Sequence, residues 1–219
     1  MHKDVLSTID VEQVISIAVN AGKEILEIYQ QDDFNQRIKI DNSPLTEADI
    51  AAHNVITQAL KKQTPLIPIL SEESSVVPWE ERKKWQTYWL IDPLDGTKEF
   101  IKRNGEFTVN IALIHAHEPV VGVVHAPVLN TTWVGGKGRP ATKILDNKRQ
   151  KIFARQRKDS EPWKVAGSRT HAGDSLKNFL EDLGEYELIN MGSSIKLCLV
   201  AEGKVDIYPR LGPTSEWDT

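Results

Sequence analysis

Four apolar residues, Tyr88-Trp89-Leu90-Ile91, run straight into Asp92-Pro93-Leu94-Asp95-Gly96-Thr97. A short apolar run bounded by turn formers reads as a buried strand, here one that delivers acids at its C-terminal end. Pro93 fixes its own φ and Gly96 permits a tight turn. Such a turn can aim Asp92, Asp95 and the Leu94 carbonyl at one point, the oxygen set that a hard cation such as Mg²⁺ favours. Thr97 then opens a short helical stretch, Lys98 to Ile101, whose free N–H groups suit a phosphate. Acids beside phosphate-ready amides point to metal-assisted phosphoryl hydrolysis. The hexapeptide alone is equally consistent with a surface turn, because Asp-Pro and Asp-Gly are common there. An EF-hand loop does not fit, since two residues rather than one separate the acids.

A second apolar run, Leu66 to Leu70, ends in Ser71-Glu72-Glu73 and reads as another acid-delivering strand. Taken alone, that pair is a solvated acidic loop. Asp49 follows Thr46 at the spacing of a capping box, which by itself explains it. Asp218 follows Trp217 and alone reads as a helix N-cap or a chain end.

Around these acids the pattern is mixed. Val11, Val14, Ile15, Ala18, Ala21, Ile25 and Ile28 recur at helical spacing over residues 10–29, with Asp10 as cap. Residues 46–63 read as a second helix. Phe107, Val109, Ile111 and Leu113 alternate as a strand, and Val120 to Val124 pairs back onto it. Thr131 to Gly135 reads as a further strand, and residues 135–158, Gly-rich and then basic, as a mobile connection. The last third alternates strand (164–166), helix (174–183), strand (186–189), helix (193–202) and strand (205–208). The expectation is an α+β layered sandwich. It divides into an N-terminal part with the metal site (1–130) and a C-terminal α/β part with substrate-binding residues (131–219), packed as one unit.

Composition narrows the function. Net charge is −4, with 27 basic against 31 acidic residues. That lacks the basic excess of a nucleic-acid-coating protein. The single cysteine, Cys198, allows no internal disulfide and no Cys-rich zinc site. No window approaches the ~18 apolar residues of a membrane span, and residues 1–10 lack the apolar core of a signal peptide. A protein of a reducing, intracellular compartment is expected.

Taken in order, Glu72-Glu73-Ser74, Trp89 to Thr97 and Trp217-Asp218-Thr219 resemble the three motifs of the inositol monophosphatase superfamily of magnesium-dependent, lithium-sensitive phosphatases. The stretches Asp41 to Asp49, Lys98 to Phe107, Gly192 to Lys196 and Tyr208-Pro209-Arg210 extend the resemblance toward its bacterial 3'(2'),5'-bisphosphate nucleotidase branch. It covers nearly the whole chain, more loosely over residues 131–164. The resemblance implies a layered αβαβα sandwich. It implies two or three Mg²⁺ ions on Glu72, Asp92, the Leu94 carbonyl, Asp95 and Asp218, with Glu73 supporting a weaker one. It implies that Asp49 accepts from the Thr97 hydroxyl, that Thr97 orients the attacking water, and that Glu72 helps deprotonate it. The Gly96 and Thr97 amides would grip the phosphate being removed, and Trp89 and Trp217 would wall the site.

For substrate choice the resemblance implies His171, Ser193, Lys196 and Arg210. On bland readings Ser193 is an N-cap, Lys196 lies on a solvated helix face, and Arg210 and His171 are surface residues. The implied reaction removes the 3'-phosphate of 3'-phosphoadenosine 5'-phosphate, with 3'-phosphoadenylyl sulfate as a second substrate. The alternatives are an inositol monophosphatase, a sugar bisphosphatase, or a non-catalytic metal- and nucleotide-binding form. The expected partner is thus a small nucleotide, and the expected location cytoplasmic, with peripheral residence at the inner membrane as the alternative. The family pattern continues past residue 219 with a helix that supports the last acid.

Overall fold

The computed structural model describes residues 9–39, 44–168 and 174–218. Helix α1 (Val11–Tyr29) starts where Asp10 accepts from the Glu12 N–H at 3.0 Å. A short antiparallel pair, β1 (Arg37–Ile38) and β2 (Pro44–Leu45), leads into α2 (Glu47–Gln63). Next come β3 (Ile69–Ser71), α3 (Trp79–Arg82), β4 (Thr87–Asp95) and the five-residue α4 (Thr97–Ile101). Strands β5 (Thr108–His115), β6 (Glu118–Ala126), β7 (Thr131–Gly136), β8 (Arg139–Leu145) and β9 (Lys148–Lys151) follow. These make a seven-stranded sheet ordered β3 to β9, in which only β3 and β4 run parallel. Then β10 (Trp163–Gly167) and β11 (Tyr186–Asn190) pair in parallel around α5 (Asp174–Leu183). Helix α6 (Ile195–Ala201) and a 3₁₀ turn (Glu216–Asp218) complete the described chain.

The layers follow from where the apolar faces meet. Val14, Ala18, Ala21 and Ile25 of α1 and Ala52, Ile56 and Leu60 of α2 pack with Trp89, Ile91, Val109 and Ile111 of the large sheet. In a second cluster Ala126 and Trp133 of that sheet pack against Ile195 and Cys198 of α6. Helix α6 lies beside β10, whose Val165 packs on Leu176 and Leu180 of α5. The order is helix, sheet, helix, sheet, helix, so the αβαβα sandwich is present. The large sheet passes position 130 without a break, since β6 pairs with β7.

Three local expectations are corrected. The run from Leu66 is strand only from Ile69, and Leu66 itself is exposed. Residues 135–158 are not a mobile connection: they hold β8 and β9, joined by Asp146 and Asn147 at φ 49° and 60°. Asp and Asn tolerate that left-handed backbone, and two such residues make a tight hairpin turn. Residues 205–208 form one isolated bridge, Val165 to Ile207, not a strand.

Candidate active site

Parallel pairing of β3 with β4 places two strand ends side by side. Ser71 registers with Ile91, and the Glu72 N–H donates to the Ile91 carbonyl at 3.1 Å. Glu72 therefore emerges next to Asp92. The acid motif is not a turn after the strand, as expected, but its irregular end. Strand β4 continues to Asp95, with a break in register against β5 between Asp92 and Asp95. The Leu94 N–H donates to Asp92 Oδ1 at 3.1 Å. Gly96 then turns the chain at φ 97°, where a Cβ would meet the Glu106 carbonyl at 3.1 Å and Ser193 Cβ at 3.2 Å. Only glycine suits both demands.

Below this loop, Phe100 of α4 is fully buried and its ring lies 5.1–5.3 Å from those of Tyr29, Phe34 and Phe107. Burying such a ring contributes roughly 2–3 kcal/mol, and each well-placed aromatic pair about 0.5–1.5 more. That packing fixes α4, and through it Gly96 and Thr97, against α1.

Three carboxylates converge. Asp92, Asp95 and Asp218 each offer an oxygen within 4.8 Å of the others. Asp92 is 2% exposed. Burial first, then the charges of Asp95, Glu72 and Asp218, hold its carboxyl well above the usual range. Asp95 is also raised by burial, opposed by its bonds to Ser193 and Ser194. Asp218 Oδ2 accepts from Thr214 Oγ1 at 3.1 Å and the Ser215 N–H at 3.0 Å.

Asp49 does two things at once. Its Oδ2 accepts from the Thr46 N–H at 2.7 Å and Thr46 Oγ1 at 2.6 Å, completing the capping box of α2. Its Oδ1 accepts from Thr97 Oγ1 at 3.1 Å. The helix cap and the bond to Thr97 thus use the same side chain. Burial raises its carboxyl, against the pull of Thr46.

On the far side, Ser193 is not the N-cap of α6; Ser194 is. Ser193 adopts φ 57° and its Oγ donates to Asp95 Oδ2 at 2.8 Å. Lys196 is not on a solvated face. It is 5% exposed, its Nζ donates to the Ser193 carbonyl at 2.7 Å, and it lies 5.2 Å from the Tyr208 ring centroid. Burial pulls its ammonium below the ordinary lysine range, opposed chiefly by Asp95 and Glu99. Arg210 is exposed and donates to the Pro213 carbonyl at 3.0 Å. A cleft of about 170 Å³ joins Asp95, Gly96, Asp218, Ser193, Lys196 and Arg210. His171 lies outside the described residues.

Two further corrections and one omission remain. Trp89 does not wall the site; it is buried under α2 and its indole donates to Thr64 Oγ1 at 2.9 Å. Trp217 packs with Leu70, Leu90 and Ile114 and so anchors the 3₁₀ turn carrying Asp218. Lys39 was not foreseen. Its Nζ donates to Glu72 Oε1 at 2.8 Å and Glu73 Oε1 at 2.5 Å. Burial opposes its charge, but these bonds outweigh it and hold the ammonium above its ordinary range. Glu73 is pushed up to about 7, chiefly by burial, against the pull of Lys39. A two-residue, exposed strand at Arg37–Ile38 is too brief a signal to have revealed it.

A sequence profile of the inositol monophosphatase family matches residues 7–219. The 3'(2'),5'-bisphosphate nucleotidase CysQ of Salmonella typhimurium is 52% identical over 95% of this chain and 83% of its own length. That of Escherichia coli K12 is 51% identical over the same shares. The crystal structure of CysQ from Bacteroides thetaiotaomicron superposes with a TM-score of 0.81 at 42% identity, covering 94% of this chain and 81% of that one. The Thermotoga maritima IMPase superposes with a TM-score of 0.78 at 25% identity, covering 95% and 78%. With the profile matched over nearly its whole length and the layered fold shared with these structures, the chain belongs to the inositol monophosphatase family.

Proposed function

We propose that this enzyme is a 3'(2'),5'-bisphosphate nucleotidase that hydrolyses the 3'-phosphate of 3'-phosphoadenosine 5'-phosphate to AMP and phosphate, with 3'-phosphoadenylyl sulfate as a further substrate. The observation that carries the reading is the buried Lys196, set with Arg210 in the same cleft as the acid cluster. A substrate with one phosphate to lose and one to keep needs both ends. Arg binds a phosphate bidentately and Lys as a point charge. The relatives named CysQ, at 51–52% identity, support the same substrate class.

The family is metal-dependent, and the donor set fits a hard divalent ion. The buried Asp92 carboxylate is crowded by Asp95, Glu72 and Asp218, and every donor is an oxygen. Glu72, Asp92, the Leu94 carbonyl, Asp95 and Asp218 would hold Mg²⁺, two or three ions. Bound there, the metal makes a water acidic and offsets charge on the leaving oxygen. The protein's own groups do the rest. Thr97 donates its hydroxyl hydrogen bond to Asp49 and so turns a lone pair toward the water. Glu72 accepts a proton from that water. The Gly96 and Thr97 amides face the phosphate, and Ser193, Lys196, Arg210 and His171 take the retained part of the nucleotide. No covalent intermediate is formed. The N-terminal part supplies the metal site apart from Asp218, and the C-terminal part supplies that acid and the nucleotide contacts. No described helix is long and apolar enough to cross a membrane. The similarity to CysQ supports a cytoplasmic location, with peripheral residence at the inner membrane as the alternative.

Phosphate release from 3'-phosphoadenosine 5'-phosphate and from inositol 1-phosphate, with Mg²⁺ and with EDTA, tests this. Mg²⁺-dependent preference for the nucleotide is expected. Preference for inositol 1-phosphate would leave the metal site and remove the nucleotide pocket. Binding without release would make the protein a binding module.

A further inference from the structure

Behind Asp95 lies a row of hydroxyls, of which only Ser193 has so far been given a role. Thr108 Oγ1, on β5, is 2.7 Å from Ser193 Oγ and 2.8 Å from Ser194 Oγ. Ser193 Oγ donates to Asp95 Oδ2 at 2.8 Å, and Ser194 Oγ lies 2.9 Å from the side-chain amide of Asn110. Thr108 is fully buried and Ser194 6% exposed, so the two inner hydroxyls draw no proton from solvent. The row has four contacts: Asp95–Ser193, Ser193–Thr108, Thr108–Ser194 and Ser194–Asn110. Three hydroxyls bring three protons.

The proton count fixes the direction. Asp95 accepts only, so Ser193 donates to it. Ser193 must then accept from Thr108, and Thr108 from Ser194. Ser194 has no proton left for an amide oxygen. The two ends of an Asn amide are alike in shape and are assigned from the bonds they make. Turned so that Nδ2 faces Ser194, Asn110 supplies the fourth proton and every contact is satisfied.

We propose that Asn110, Ser194, Thr108 and Ser193 form a one-way hydrogen-bond chain ending on Asp95 Oδ2, and that Thr108 is its central positioning residue. The Ser194 N–H donates to the same oxygen. Both donors hold Oδ2, so the carboxylate presents Oδ1 to a cation. The chain also explains Ser193, a non-glycine residue at φ 57°, a backbone state kept only when its surroundings over-determine it. Its hydroxyl is held from two sides and its carbonyl accepts from Lys196. Bonds in a row polarise one another in the same direction. Strand β5 thereby sets both the metal-facing carboxylate and the start of the substrate-facing helix. The inference rests on Asp95 as a cation ligand.

The test is calorimetric titration of the full chain with magnesium chloride, without substrate, for wild type, Thr108→Val, Thr108→Ser and Asn110→Leu. Removing support behind a metal ligand typically weakens affinity about 10- to 100-fold. Thr108→Val, nearly the same shape without the hydroxyl, is expected to lose roughly tenfold, and Thr108→Ser to regain it. Asn110→Leu removes the donor at the other end of the row, beside the α6 N-cap, and is expected to weaken binding as well. Unchanged affinity in Thr108→Val or Asn110→Leu overturns the chain. Equal loss in Thr108→Val and Thr108→Ser also overturns it, because the methyl rather than the hydroxyl would then matter. A wild type that binds no magnesium rejects the metal reading itself, independently of the variants.

Discussion

At the scale of single residues, Lys196 shows how much a burial value decides. A solvated lysine contributes little to recognition, but a desolvated one meets a phosphate at close to full strength. Lys196→Met should raise KM for 3'-phosphoadenosine 5'-phosphate at least tenfold, consistent with about 1.5–3 kcal/mol for a bond to a charged group. Turnover of inositol 1-phosphate should change little, and steady-state kinetics on both substrates checks it. His125 makes a prediction for stability. It is 4% exposed, and its Nδ1 lies 2.9 Å from Thr132 Oγ1. Burial pushes its imidazole down to about 4, from 6.5 when unfolded. The unfolded chain then binds the extra proton between those values, so stability is intact above 6.5 and lost as pH falls toward 4. The loss attributable to this ring is about 3 kcal/mol. Urea melts at pH 7 and pH 5 should show about 2 kcal/mol of it, and His125→Gln should flatten the slope.

At the scale of elements, α1 carries its own test. Gly22 faces the His125 ring, where an added Cβ would stand 2.6 Å from Cδ2 and 3.0 Å from Pro127 Cγ. Alanine gains up to about 1 kcal/mol of helix propensity over glycine. Overpacking against a ring that is itself held costs about 1–3 kcal/mol. Gly22→Ala should therefore destabilise, by roughly 1–2 kcal/mol in chemical denaturation. Such contacts explain what was readable in advance. Helices α1, α2 and α5 and strands β5 and β6 were legible because their apolar spacing repeats. Strands β8 and β9 were not, since they have little buried face and read as a Gly-rich, basic stretch. The acids of β4 were legible as a cluster, but not as a bulged strand end, because a register break is a property of the pair. Lys39 and Thr108 were invisible for the same reason: each acts through partners 33 to 86 positions away.

At the scale of the whole molecule, the cleft draws its lining from elements far apart in the chain. The large sheet brings Asp92 and Asp95, the loop after the small sheet brings Ser193, α6 brings Lys196, and the last turn brings Asp218. The large sheet has one further property. Its last strand, β9, reads Lys148-Arg149-Gln150-Lys151, is exposed throughout, and pairs on one side only among the described residues. An unpaired strand is a template for another chain's backbone, and lysines on it make that union repulsive. The four residues thus act as a guard against fibril-like stacking of one copy on the next. Lys148→Thr with Lys151→Thr should leave the cleft and its chemistry alone, yet light scattering of a concentrated solution should rise, most of all at high salt, where the remaining charge is screened.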